Sequence, residues 1–174
     1  MGLPFGRLDK FLYICLLIQF SFKFKMKMIP RNFSIKEVVC KHVYDKFIVQ
    51  RGWKEEDVWE FFDLRLRETL DFLRQKFGRE IKINNWSAGG TNTQRGLRCN
   101  MCKLVKDKTS AYMTPHYGQG VDFDVAGLTA QEARDMIIKW KDELPHPIRL
   151  EDGVNWVHLD VREKKGHKVY LFHE

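Results

Sequence analysis

The sequence predicts an α+β domain: a mainly antiparallel sheet packed against helices. Three observations predict it. Helical spacing of apolar residues fills the region after residue 29, whereas short alternating segments crowd the C-terminal half. Turn residues, not crossover helices, separate the last strand-like segments, which favours antiparallel pairing. The length of 174 residues suits one domain. Composition agrees: 44% hydrophobic and 30% charged residues exclude disorder, collagen and a disulfide-dense miniprotein. Thirteen Phe and five Trp supply large apolar groups for a core.

The elements follow in order. Ser34 precedes Ile35-Lys36-Glu37-Val38-Val39, a short helix with an N-cap. Asp57 opens one long amphipathic helix, because Val58, Phe61, Phe62, Leu66, Leu70, Leu73 and Phe77 recur mostly at spacings of three and four. Gly78 caps its C-terminus. Ile81-Lys82-Ile83 alternates and reads as a strand. Residues 87–118 are rich in Gly, Thr, Asn, Ser and Lys and read as long loops, which in compact domains are usually functional. Val121-Asp122-Phe123-Asp124-Val125 is a second strand. Thr129-Ala130-Gln131-Glu132 is a capping box, and its helix carries Met136, Ile137 and Trp140 before Pro145 and Pro147. Ile148–Leu150, Val154–Val161 and Val169–Phe172 read as three strands. A tight Glu151-Asp152-Gly153 turn joins the first two, and Lys164-Lys165-Gly166 reads as a hairpin turn leading to the third.

Residues 1–28 are expected to be an N-terminal extension ahead of a single domain at 29–174. Phe11 to Phe22 is apolar except for Gln19 and Ser21, too short for the ~20 residues a membrane span needs. It resembles a signal peptide core without a small-residue cleavage site; a start at Met26 or Met28 is the competing reading. The location of the protein is left open between these two. The formal charge of +7 suggests nucleic acid, but residues 1–28 hold five basic groups against Asp9, leaving +3 for the domain. That balance is ordinary for a soluble domain, so no nucleic-acid partner is expected. The domain is expected to be a monomer.

The chemistry concentrates in two segments, Thr114-Pro115-His116-Tyr117-Gly118-Gln119-Gly120-Val121-Asp122 and Asn155-Trp156-Val157-His158-Leu159-Asp160. A catalytic zinc typically takes three His or carboxylate ligands and leaves a position for water. His116, Asp122 and His158 could supply them if the two strands are neighbours. Trp156, His158 and Asp160 share one strand face. A single His on a strand is, however, more often a hydrogen-bonded residue than a ligand.

These segments resemble the zinc D-Ala-D-Ala carboxypeptidase and peptidoglycan endopeptidase family, peptidase family M15, including its phage-endolysin-like and short bacterial members. The family pattern is Ser-x-His-x-x-Gly-x-Ala-x-Asp followed by a His in a Trp-x-His or His-x-Asp context. The resemblance covers roughly residues 57–162. It implies the hedgehog/DD-peptidase fold, a Zn2+ cofactor held by His116, Asp122 and His158, and peptidoglycan stem peptides as partners. It further implies Arg95 as the catalytic arginine beside the substrate carbonyl or carboxylate, with Arg98 as the alternative. Thr114 replaces the leading Ser and, with Arg98 and Trp156, falls among the substrate-side residues. Two departures stand out. His116 and Asp122 are six apart where the family has seven, which makes Asp124 a fallback ligand. Asn155 stands where much of the family carries a general base, so Asp160 becomes the nearest carboxylate, either as base or as a hydrogen-bonded support for His158. Asp152 is a weaker candidate. The alternative is therefore a catalytically weak or inactive module that binds cell-wall peptide or zinc without turnover.

Cys99-Asn100-Met101-Cys102 is a CxxC, and with Cys40 and His42 could form a structural Cys3His zinc site. Buried thiols or a loop disulfide are the expected state. Trp53, Trp59, Phe61 and Phe62 are expected in the core. His146 is expected to be solvated or a turn residue, and His167 and His173 are expected at the surface.

Overall fold

The computed structural model of the chain describes residues 28–106 and 118–173. It is a mixed structure of helices and a five-stranded sheet, compatible with the predicted α+β class. Helices α1 (Ile35–Val38), α2 (Lys41–Tyr44), α3 (Glu55–Trp59) and α4 (Leu64–Phe77) precede strand β1 (Ile81–Lys82). Helix α5 (Lys103–Lys106), strand β2 (Gly120–Val125), helix α6 (Ala130–Lys139) and strands β3 (Ile148–Glu151), β4 (Val157–Asp160) and β5 (Val169–Phe172) follow.

Several elements form for the reasons read from the sequence. Glu37 Oε2 accepts from the Ser34 backbone N–H at 2.7 Å and closes the first turn of α1. Thr129 and Glu132 form the predicted capping box of α6. Gly78 ends α4 in the left-handed conformation at φ 59°. Leu66, Leu70, Leu73 and Phe77 of α4 are all buried. Each such burial contributes about 1.5–3 kcal/mol before chain entropy is set against it.

The long helix expected from Asp57 is two helices. The chain breaks after Trp59, and Asp63 restarts it as the N-cap of α4, its carboxylate accepting from the Arg65 backbone N–H at 3.0 Å. The apolar spacing survives the break because both helices pack on one core. Trp59 and Phe62 are in that core as expected, whereas Trp53 is partly exposed and stacks with Phe47 and Phe61.

The sheet order is β1-β2-β4-β3-β5, and its pairings are antiparallel except β3 with β5. This corrects two expectations. Residues 152–156 are a loop, not the start of β4, so the Glu151–Gly153 turn is wider than a tight hairpin. The Lys164–Gly166 turn is not a hairpin: β5 passes β4 and pairs in parallel with β3 on its far side. Val121, Phe123, Val125, Val157 and Leu159 are buried on one sheet face. The alternate residues Asp122, Asp124, His158 and Asp160 therefore share the other face. His146, expected to be solvated or a turn residue, is half-buried in the bend before β3 and hydrogen-bonds to Glu68.

Candidate metal centre

Strands β2 and β4 bring Asp122 opposite His158. The Asp122 N–H donates at 2.7 Å to the carbonyl of Arg95, on the side of β2 away from β4. Asp122 and His158 are therefore a non-hydrogen-bonded pair, the arrangement that brings opposing side chains closest. Their side chains meet, with His158 Nδ1 2.6 Å from Asp122 Oδ1. The convergence required of Asp122 and His158 is thus a consequence of strand register. His116 and Thr114 lie outside the described residues.

Behind the imidazole stands Asp160, its Oδ2 3.4 Å from His158 Nε2. That nitrogen is buried and has no well-formed hydrogen bond among the described residues. Asp160 is 1% exposed. Its carboxylate accepts from Arg149 Nε at 2.9 Å, Arg149 Nη2 at 2.7 Å, the Arg162 backbone N–H at 3.0 Å and the Arg162 guanidinium. Burial opposes its ionisation, yet the neighbouring His158 and the hydrogen bonds from Arg149 and Arg162 hold it far below the usual carboxylate range. Such an acid is a fixed counter-charge and a poor proton acceptor. For His158, burial disfavours charge, but the hydrogen bond to Asp122 and the nearby Asp160 carboxylate outweigh it and push the imidazole up to about 9. Phe172 packs edge-on against the ring with centroids 5.9 Å apart, fixing its plane.

Arg95 and Arg98 both reach β2. The Arg95 guanidinium pairs with Asp124, and its backbone N–H donates to Asn84 Oδ1 at 2.9 Å. Arg98 Nη2 donates to Asp122 Oδ2 at 2.8 Å. Arg98, the second choice for a substrate-side role, is thus the arginine touching the candidate ligand carboxylate. Trp156 is half-buried and lies near an open cleft of about 420 Å³ lined by Asp124, Thr129, Arg134 and Asn155 among others. Arg134 is 3% exposed and donates to the Trp156 carbonyl at 2.9 Å. Asp152 sits 3.7 Å from Arg134, and its N–H donates to the Phe172 carbonyl at 2.8 Å.

Asp122 Oδ1 and His158 Nδ1 are atoms of the types that bind zinc, and here they are hydrogen-bonded to each other. A His that binds metal through one nitrogen commonly gives its other N–H to a carboxylate, which is where Asp160 stands. Asp124, the fallback ligand, has a side chain 44% exposed and turned to Arg95.

Sequence reasoning missed Arg149, which strand register makes the partner of Asp160, and Arg162, which folds back on Asp160 from two residues further along the chain. It also missed Arg134, whose signal was a charged residue beside Ala133 on an otherwise apolar helix face. A second group was ranked low and is assembled: the ligand atoms of Cys40, His42, Cys99 and Cys102 all lie within 4.8 Å of one another. This Cys3His group could hold a metal ion and is compatible with zinc. The three cysteines are free thiols, Cys40 and Cys102 buried and Cys99 partly so, which is the first of the two states expected for them. Among the described residues no helix is long and apolar enough to cross a membrane. Compared with models of known families, with curated proteins and with solved structures, the chain matches none.

Proposed function

We propose that the chain is a zinc-dependent peptidase of the DD-carboxypeptidase or endolysin-type endopeptidase class, acting on D-amino-acid-containing peptides of bacterial peptidoglycan with a hedgehog/DD-peptidase-like fold. The observation that carries it is the Asp122–His158 contact on facing strands, with Asp160 behind the second imidazole nitrogen. His158 Nδ1 and Asp122 Oδ1, joined by His116 from the segment that feeds β2, would hold the ion. When bound, zinc lowers the pKa of a water ligand towards ~7 and polarises the scissile carbonyl.

The chain's own residues do the rest. With an ion bound, Asp160, 3.4 Å from Nε2, would take a hydrogen bond from that nitrogen and leave Nδ1 for the ion. Arg149 and Arg162 keep Asp160 ionised for that task. Arg98 turns one Asp122 oxygen away and leaves the other facing His158. Arg95, beside the more exposed Asp124, is placed to meet a terminal carboxylate of a stem peptide. The cleft beside Asp124 and Asn155 lies next to the Arg95 partner Asp124, although neither Asp122 nor His158 lines it.

One observation favours the second reading, a weak or inactive peptide-binding module. Asp160 accepts four hydrogen bonds from Arg149 and Arg162, and Asn155 cannot take a proton. Digestion of peptidoglycan fragments read by mass spectrometry, with zinc analysis of wild type and His158→Ala, separates the two. A peptidase gives cleaved stems that vanish with His158→Ala together with one zinc equivalent. A binding module retains fragments and cleaves none. A wild-type chain whose zinc content is unchanged by His158→Ala removes both.

A further inference from the structure

The Cys3His group lies outside the Asp122–His158 centre and has its own architecture. Cys40 and His42 flank the start of α2; Cys99 and Cys102 enclose the turn before α5. A short parallel bridge joins the two segments. The Cys40 N–H donates to the Leu97 carbonyl at 2.9 Å, and the Leu97 N–H to the Val38 carbonyl at 2.7 Å. Gly96 makes that approach possible, since a Cβ there would fall 2.0 Å from the Val38 carbonyl oxygen. Buried Asn84 reinforces it, donating at 3.2 Å to the Val39 carbonyl and accepting from the Arg95 N–H at 2.9 Å.

Two of the six donor-to-donor distances match those of a tetrahedral ion, and all lie within 4.8 Å. Zinc bonds of ~2.3 Å to sulfur and ~2.0–2.1 Å to nitrogen imply ligand edges of about 3.8 Å for two sulfurs and about 3.6 Å for sulfur and nitrogen. Cys99 Sγ and Cys102 Sγ are 3.9 Å apart, and Cys102 Sγ and His42 Nδ1 are 3.8 Å apart. The Met101 backbone N–H points at Cys99 Sγ at 3.4 Å and helps fix its position. Four protein ligands leave no position for water, which is the pattern of structural rather than catalytic zinc.

We propose that Cys40, His42, Cys99 and Cys102 form a structural zinc site, separate from the Asp122–His158 centre, that clamps the segment carrying Arg95 and Arg98 against β2. The clamp acts through short connections. Leu97, bonded to both Val38 and Cys40, sits between Arg95 and Arg98, and Arg98 is the residue before Cys99. The Arg95 carbonyl accepts from the Asp122 N–H, and Arg98 holds the Asp122 carboxylate. Gln94 Oε1 accepts from the Leu104 N–H at 3.1 Å, closing the segment beyond the second cysteine. Metal at the thiolates thus fixes the second arm of the Asp122 environment without touching it.

Cobalt(II) substitution of the full chain, purified under reducing conditions, tests the site. Sulfur-to-cobalt charge-transfer bands with intense tetrahedral visible bands are expected in wild type. They should persist in His158→Ala, which removes the other centre, and be lost in Cys99→Ser. In the exposed His42→Ala variant, whose change leaves the core alone, the visible bands should shift and binding weaken. A reduced wild-type chain that binds cobalt with no charge-transfer band overturns the site. Hydrogen exchange then tests the clamp: chelation should raise exchange across residues 94–106, and unchanged exchange overturns that role. Failure of the peptidase reading would appear as absent stem cleavage with the sulfur-to-cobalt bands intact.

Discussion

Arg149 and Asp160 face each other across β3 and β4 and share two hydrogen bonds, of 2.9 and 2.7 Å. This bidentate pair sits directly behind His158, so the imidazole rests on a charge that is itself immobilised. The centre is a row of alternating sign along one sheet face: Arg98 on Asp122, then His158, then Asp160, then Arg149 and Arg162.

Asp160→Asn should therefore act on stability before rate. The change leaves two guanidinium groups facing a neutral amide in a site 2% exposed at the carboxylate. Breaking one partner out of a buried pair costs about 3 kcal/mol, and chemical denaturation should show a loss of that order. Zinc should bind more weakly by about 10–100-fold, the usual cost of losing a ligand's hydrogen-bond partner. An unchanged denaturation midpoint would show that Asp160 does not anchor the arginines.

Arg95→Ala and Arg98→Ala should separate in kinetics, provided stems are cleaved. Arg95 pairs with a half-exposed carboxylate, so its loss should raise KM for stems bearing a free carboxylate about tenfold and leave kcat near wild type. Arg98 holds the candidate ligand Asp122, so its loss should lower kcat instead. Equal effects from both changes on KM alone would assign both arginines to the substrate.

Much of the fold was legible because it rests on local physics. The Ser34, Thr129 and Gly78 caps and the apolar face of α4 are written in residues three or four apart. The break at residues 60–63 was missed because Phe61 and Phe62 continue the apolar spacing; Asp63 before Leu64 was the available signal. The parallel placement of β5 was not legible, since the Lys164–Gly166 turn is compatible with a hairpin and tertiary packing on β3 decides otherwise. Asp122 and His158 could be singled out by residue type, but their contact depends on register. For the Cys3His group, the four residues could be named from the CxxC and the Cys40–His42 pair, but their convergence depends on Gly96 and the Leu97 bridge, which bring together segments far apart in sequence.

Asp63 gives a pH prediction. Hydrogen bonds from Arg65 outweigh burial, and with one from Gln119 they lower its carboxyl to about 2 from 3.8. A depressed folded-state value stabilises the fold above the unfolded value, and that share is lost as pH falls through the folded one. The stabilisation is therefore complete above about pH 5, mostly lost by pH 2 and gone near pH 1. Asp63→Ala also removes the N-cap of α4, at a cost of about 1 kcal/mol near neutral pH. The gap between wild type and variant, followed by urea denaturation, should narrow from pH 5 to pH 2; a constant gap would sink the ionisation argument.

Gly118 should be the least replaceable of the left-handed glycines compared here. It sits at φ 66°, and an added Cβ would fall 2.0 Å from the Phe61 carbonyl oxygen. Its own carbonyl accepts from the Asp63 N–H at 3.0 Å, and neighbouring Gln119 donates to Asp63 at 2.9 Å. The α3–α4 break thus packs directly against the entry to β2, and displacing residue 118 would carry Asp122 with it. Gly78 is the control, with φ 59° and open space where a Cβ would stand. Gly78→Ala should cost about 1 kcal/mol, the left-handed penalty alone. Gly118→Ala adds a backbone collision and should cost about 3 kcal/mol or more, with weakened zinc binding. Equal costs in the two variants would mean that the Phe61–Gly118 contact is not tight in solution, and that Asp122 is positioned by the sheet alone.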